Sequence, residues 1–393
     1  MKQIHALIVM LMMASVAFTG CVSDDEAIEE AIEEVEEETT EEETTEEEEE
    51  ETTEEEETID PVGSDSTSTL DTVIARGSLK CGVKDSQYGM GYLESDGTYT
   101  GLDIEYCKAV AAAIGLDPET DVTYVLATGS NRFELLASEE IDVLIRTTTW
   151  TTSRDAELNA DFAGINFYDG QGILVNLDAF ASGTDSALDL DGAKICVGIG
   201  TTTEGNIADY FQVNGMTYEA VNSDDAATAK AQFEDGSCDA WTGDMSAMVA
   251  QKFGLDTTAV PNSAIMPELL SKEPLAAATR DNDDDWNDVV TWVWYGMLTA
   301  EELGITSANF ASADMSIPAN DRLLNNNLGL GTTTNPLSAT WMQDVLAAVG
   351  NYEEAYTESF CTYDTSGNCL IDRAGSQNAP YWEGGLQYAP PMR

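Results

Sequence analysis

The sequence predicts an α/β protein of two lobes, each a mainly parallel sheet flanked by helices, with a hinge between them. Strand and helix patterns alternate from Leu79 to Val175, as they do when helices cover a parallel sheet. The same order restarts near residue 190. In both units the apolar runs give way to hydroxyl-rich segments, at the strand ends where open α/β sheets bind ligands.

The first 67 of the 393 residues belong to neither lobe. Lys2 precedes an apolar run from Ala6 to Phe18, interrupted only by Ser15. That run is too short to span a bilayer, so residues 1–20 read as an export signal. Phe18-Thr19-Gly20-Cys21 resembles the lipobox of secreted lipoproteins, which implies lipidation at Cys21 and a lipid anchor to the membrane. Residues 24–60 hold 24 Asp and Glu and no Lys or Arg. Such a run buries too little apolar surface to fold and repels itself, so residues 21–67 read as a disordered acidic tether, about 40 Å long or more. Beyond it the net charge stays near −35, which argues against nucleic acid as a partner and suits solubility in a salty medium.

The elements follow in order. Ser78 to Val83 is a short strand entering a polar, Gly-rich loop. Ile104, Cys107, Val110, Ala111 and Ile114 recur at helical spacing, and Gly115 ends that helix. Val122 to Leu126 is a β-branched strand, Asn131 to Ser138 a short helix, and Ile141 to Ile145 a buried strand. In the second unit Lys194 to Ile199 is a strand, Gly200 opens a helix through Phe211, Ala226 to Phe233 is a helix, and Cys238 to Trp241 is a strand ending at Asp244. Three helices are expected afterwards, over 285–302, 338–349 and 352–360, with their tryptophans in the core.

Six cysteines follow Cys21, an even number in an exported chain, and six allow 15 connectivities. Cys361 and Cys369 enclose seven residues that read as a turn closed by its own bridge. The other four fall as one pair in each half of the chain, which favours Cys81–Cys107 and Cys196–Cys238. Zinc is not expected, because the chain has no CxxC spacing and no histidine beside its cysteines. The one histidine, His5, lies in the signal, so the mature chain lacks Ser-His-Asp and Cys-His catalysis and His-ligated metal. No cofactor is expected, and the balance favours binding over catalysis.

The strand-end groups divide by chemistry. Thr147, Thr149 and Arg154 in the first unit are donors, and a guanidinium fork suits a carboxylate. Thr202 and Thr203 sit where a helix begins, which also favours an anion. Asp244 in the second unit is an acceptor for an ammonium. Carboxylate donors facing an ammonium acceptor describe an α-amino acid. Arg146 ends its strand and receives no role.

At these residues the chain resembles the polar amino-acid-binding proteins of ABC importers, solute-binding family 3, of the type II periplasmic-binding fold. The subgroup it is most similar to binds L-amino acids generally. The matching stretches include Thr100-Gly101-Leu102-Asp103, Ile141-Asp142-Val143-Leu144 through Thr147-Thr148-Thr149-Trp150 and Arg154, Gly200-Thr201-Thr202-Thr203-Glu204, Ser271-Lys272-Glu273-Pro274-Leu275 and Gly384-Gly385-Leu386-Gln387-Tyr388. The resemblance implies that Arg154 pairs with the ligand carboxylate and Asp244 with its ammonium. It implies that Thr147, Thr149 and Thr202 bind the backbone part of the ligand, and Trp150 belongs to the same matched stretch. The loop after the first strand supplies an aromatic lid in the family, for which Tyr88, Met90 and Tyr92 stand here. It further implies a monomer that closes on a free L-amino acid and delivers it to ABC permease subunits at the outer face of the cytoplasmic membrane. Lobe 1 is then 68–175 with 278–393, and lobe 2 is 176–277. A sensing receptor and a same-fold dehydratase of aromatic precursors are the alternatives.

Overall fold

The structure, a computed structural model, describes residues 68–363 and 368–393. The signal, Cys21 and the tether lie outside the described residues. Among these residues no helix is long and apolar enough to cross a membrane.

The first half runs α1 (Thr69–Arg76), β1 (Leu79–Val83), β2 (Ser86–Gln87), β3 (Gly91–Leu93), β4 (Tyr99–Thr100), α2 (Leu102–Ala113), β5 (Val122–Leu126), α3 (Arg132–Ala137), β6 (Val143–Leu144), α4 (Thr152–Glu157) and β7 (Ala160–Asp169). The middle runs β8 (Gln171–Asn176), β9 (Ala193–Gly198), α5 (Thr202–Val213), β10 (Tyr218–Ser223), α6 (Ala226–Glu234), β11 (Ala240–Asp244), α7 (Met245–Phe253), β12 (Ser263–Ile265) and β13 (Glu273–Arg280). The helices α8 (Asp284–Glu302), α9 (Pro318–Asn325), α10 (Trp341–Ala348) and α11 (Tyr352–Phe360) complete it.

Two five-stranded sheets result, ordered β5-β1-β6-β13-β7 and β10-β9-β11-β8-β12. Each is mainly parallel, with a single strand, β13 or β8, antiparallel to its neighbours. An α/β fold with both faces of each sheet covered places the carboxyl ends of β1, β6, β9 and β11 at the end of each sheet where ligands bind. The short β2-β3-β4 sheet had no counterpart in the expected elements.

Several boundaries differ from the expectation, and those nearest the cavity are these. The strand expected over Ile141 to Ile145 pairs only at Val143 and Leu144, because the Asp142 carboxylate takes the Lys80 N–H at 2.7 Å before the ladder begins. The strand expected from Cys238 starts at Ala240 and continues to Asp244, opposite Gln171 on β8. The lobe crossings expected at 175/176 and 277/278 fall inside β8 and β13; by sheet membership the chain leaves the first sheet at Gly170 and returns at Glu273.

The first lobe's core packs α2, α8, α10 and α11 together, with Trp286, Trp294 and Trp341 fully buried; Trp292, also expected in the core, is only partly buried and packs against its margin. All three disulfides take the expected pairing. Cys81 of β1 joins Cys107 of α2, Cys196 of β9 joins Cys238 beside β11, and Cys361 joins Cys369. The first two close loops of 26 and 42 residues. Each restricts the unfolded chain by about 3.5–4 kcal/mol in the chain-entropy description.

Candidate functional site

A cavity lies between the carboxyl ends of the two sheets, with roughly 1080 Å³ of empty space, part of it open to solvent. Lys84, Arg132, Arg146, Thr147, Thr149 and Arg154 line it from the first sheet's side. Thr201, Thr202, Thr203 and Asp244 line it from the second. Six of the expected residues therefore meet in one place: Arg154, Asp244, Thr147, Thr149, Thr202 and Thr203.

The β6 exit explains how the first wall is built. Thr147 adopts a φ of 33°, a left-handed value uncommon for a residue with a β-branched side chain. Its N–H donates to Asp103 Oδ2 at 2.9 Å, and Asn166 donates to the other oxygen at 3.1 Å. Asp103 is fully buried at the start of α2, and burial pushes its carboxyl up to about 6 against the pull of these two donors. Its place in the Thr100 to Asp103 stretch is thereby explained: it holds the backbone turn that aims the hydroxyl segment. Four residues later the Thr151 hydroxyl caps α4 by accepting the Arg154 N–H, and Arg154 Nη1 donates to the Thr149 carbonyl at 2.9 Å. The guanidinium is thus fixed by the same segment that supplies the threonines, and it lies over the Phe133 ring.

The second wall starts where β9 passes through Gly200 into α5. Thr201 caps α5 by accepting the Glu204 N–H, and its hydroxyl lies 2.8 Å from that of Thr203. Asp244 ends β11 and precedes α7, but its side chain caps nothing, which leaves it available to the cavity. Burial raises the Asp244 carboxyl to about 6, and Lys84, Arg146 and Arg132 pull it back. Asp169, at the crossing from β7 to β8, is raised to about 7 by burial and by Asp244, while the Gly170 and Ser246 N–H groups lower it.

Thr149 and Thr202 both donate their hydroxyls to Glu273 Oε2, at 2.6 and 2.8 Å, so that each hydroxyl faces the cavity as an acceptor. Asn206 and Ser271 donate to Oε1 of the same carboxylate. Glu273 is 1% exposed and fully engaged by these four donors. It stands at the return crossing, so it ties the hydroxyl segments of both walls together.

The three aromatic candidates do not line the cavity. Trp150 is 38% exposed and stacks on Phe162 at 5.5 Å, held there by its N–H bond to the Pro274 carbonyl. Tyr88 and Tyr92 stack on each other at 3.8 Å, and Tyr88 meets Phe253 and Tyr363 edge-on. Met90, also considered for the lid, is fully buried in the first lobe's core. The cavity instead gains Lys84, Arg132 and Arg146, to which no role is assigned from the sequence. Their scarcity in so acidic a chain is the signal that could have found them.

The walls meet closely. The Arg132 guanidinium donates to the Gly200 carbonyl at 3.3 Å, Gln87 to Ser246 at 2.9 Å, and Gln251 to the Ser86 carbonyl at 3.0 Å. Among the described residues no cluster of His, Cys, Asp and Glu has the makings of a metal site.

Two similarly wound α/β sheets, joined by two crossings and facing each other across a polar cavity, define a two-lobed solute-binding protein. Residues 79–304 match the bacterial extracellular solute-binding proteins, family 3, and the chain belongs to that family. It is 43% identical over 336 residues to the glutamate/glutamine/aspartate/asparagine-binding protein BztA of Rhodobacter capsulatus, covering 84% of this chain and 95% of that one. It is 39% identical to the general L-amino acid-binding periplasmic protein AapJ of Rhizobium johnstonii, over 84% of this chain and 94% of that one. A solved structure of an ABC transporter periplasmic binding protein from Brucella ovis with glutathione bound superposes with a TM-score of 0.76 at 42% identity, covering 84% of this chain and all of that one.

Proposed function

We propose that this protein captures free L-amino acids between its two lobes and delivers them to an ABC-type permease. The observation that carries the reading is the meeting of Arg154 and Asp244 in one cavity, from opposite sheets. A carboxylate pairs with the Arg154 fork and an ammonium with Asp244, so one amino acid engages both lobes and favours the closed form. The names of the two sequence relatives, both binding proteins for amino acids, support the same ligand class.

Residues 1–20 act as the export signal, Cys21 carries the lipid, and 21–67 tether a monomeric binding domain to the outer face of the cytoplasmic membrane. Lobe 1 comprises 68–169 with 273–393, and lobe 2 comprises 170–272, a boundary that follows sheet membership. Tyr88 and Tyr92 act at the rim of the cleft and Trp150 supports the Thr149 segment from outside.

Titration calorimetry with a panel of the twenty amino acids tests the reading. Arg154→Ala and Asp244→Ala should each abolish binding while circular dichroism reports an unchanged fold. Undiminished affinity in both variants would sink the site assignment.

A further inference from the structure

Only 15 of the chain's Lys and Arg residues lie beyond the signal, yet Lys84, Arg132, Arg146 and Arg154 all line this one cavity. Among the described residues none of the four has a carboxylate within ion-pair distance. Arg132 and Arg146 are 2% and 8% exposed, and the Nε–H of each is buried without a partner among the described residues. An unpaired buried donor on a charged group is costly, and such groups persist where a ligand completes them. Burial, followed by the nearby Arg146, lowers the Lys84 ammonium to about 8, so the cations also crowd one another.

The acids that offset these charges are of two kinds. Asp103, Asp169 and Glu273 stand behind the lining, each engaged by its own donors: Thr147 and Asn166, Gly170 and Ser246, and the four groups on Glu273. Asp224 and Asp225 are exposed at the rim, where water screens them, and Asp225 caps α6. Asp85, also part of the lining, is partly exposed. The inner wall therefore presents four cations against Asp244. One amino-acid carboxylate engages Arg154 and leaves Arg146 and Arg132 without an anion.

We propose that the ligand carries a second carboxylate, bound by Arg146 and Arg132 with Lys84 beside them, so that the site selects molecules with one ammonium and two carboxylates. An acidic L-amino acid has that pattern, and so does a small peptide such as glutathione. This rests on the amino-acid reading above, since Arg154 and Asp244 hold the common part. The guanidinium forks of Arg132 and Arg146 suit bidentate pairing with a carboxylate and find no equivalent partner in an amide.

Calorimetry on the mature protein with L-glutamate, L-aspartate and glutathione, against L-glutamine and L-asparagine, decides it. The expected result is at least one dicarboxylate bound about tenfold or more tighter than both amides. Preference for glutamate or aspartate identifies the free amino acid as the source, and preference for glutathione the peptide. In Arg146→Gln the ratio of glutamate to glutamine affinity, or of glutathione to glutamine if the peptide is preferred, should collapse to within about twofold. Should that variant fold poorly, the wild-type ratio still decides. Amides bound as tightly as every dicarboxylate overturn this inference alone. No binding by any of the five, with none by the remaining amino acids, overturns the amino-acid reading itself.

Discussion

Thr202 donates its hydroxyl to Glu273 Oε2 at 2.8 Å, joining the first turn of α5 to the strand by which the chain returns to the first sheet. Thr149 reaches the same oxygen from the other wall. The hydroxyl segments of the two lobes are thereby fixed to one buried carboxylate, and the shape of the cavity between them depends on it.

Removing that carboxylate should loosen both walls. Glu273→Ala leaves four donors without their acceptor, and each buried orphan costs about 1–3 kcal/mol, less where water enters. A loss of roughly 3 kcal/mol in urea unfolding is expected, with Glu273→Gln losing about half as much because its amide oxygen keeps one acceptor. A midpoint unchanged in both variants would show that the donors are satisfied elsewhere.

Closure should be blocked by a single methyl group at Gly129. A Cβ there would lie 2.7 Å from the Ile199 carbonyl oxygen, across the cleft, and backbone has little room to yield. Gly129 keeps an ordinary φ, so alanine costs nothing locally. Gly129→Ala is expected to unfold at the wild-type temperature without ligand, yet to bind about tenfold or more weakly. Small-angle scattering with saturating ligand should give a larger radius of gyration than wild type; equal radii and affinities would show that the lobes do not need this approach.

Acidity should act through Asp169 and Asp244, whose folded carboxyls sit at about 7 and about 6 against an ordinary 3.8. A raised folded value means the folded state binds more protons, so these groups favour folding below about pH 4 and lose that contribution progressively as pH rises from there through about 6 and about 7. Asp244→Asn cannot ionise. Without ligand it should match wild type near pH 4 and exceed it by roughly 1–3 kcal/mol at pH 8. Ligand reverses the preference, because an ammonium favours ionised Asp244: binding should release protons near pH 6 and weaken below it. Calorimetry in buffers of different ionisation enthalpy reads that release, and its absence would remove Asp244 from the ammonium site.

Much of this arrangement was legible in the sequence, and the remainder divides by range. Period and composition locate β5 and α11 to the residue, because burial on one face is a local pattern. Arg154, Asp244 and the threonines were legible because strand ends place them. Arg132 and Arg146 were not, since nothing local marks an arginine at the start of a short helix, or one just past a strand, as inward-facing until the fold buries it. The role of Glu273 was equally hidden: its four partners come from positions 149, 202, 206 and 271, and only the two crossings bring these together. Tyr88 and Tyr92 were expected over the ligand, but the disulfide-closed segment at Cys361–Cys369 supplies Tyr363, which draws Tyr88 toward the rim.

That rim contact predicts how long a ligand stays. Tyr88 lies 5.2 Å from Phe253 at 82°, and Tyr363 lies 5.9 Å from Phe253 at 60°, both edge-to-face arrangements. Tyr363 is held by accepting the Gly89 N–H at 3.1 Å, so two rings from the first lobe grip one from the end of α7 in the second. Phe253 is 50% exposed even here, so its contribution to the core is small and its contacts belong to closure. Each such pair is worth about 0.5–1.5 kcal/mol beyond the area it buries. Phe253→Ala, which removes two such pairs, should therefore leave thermal unfolding of the free protein unchanged and weaken binding by about 5- to 150-fold. The loss should appear as faster ligand release in stopped-flow fluorescence, because the rings meet only after the lobes have closed. An unchanged release rate would mean that Gln87–Ser246 and Gln251–Ser86 hold that side of the cleft without the aromatic clasp.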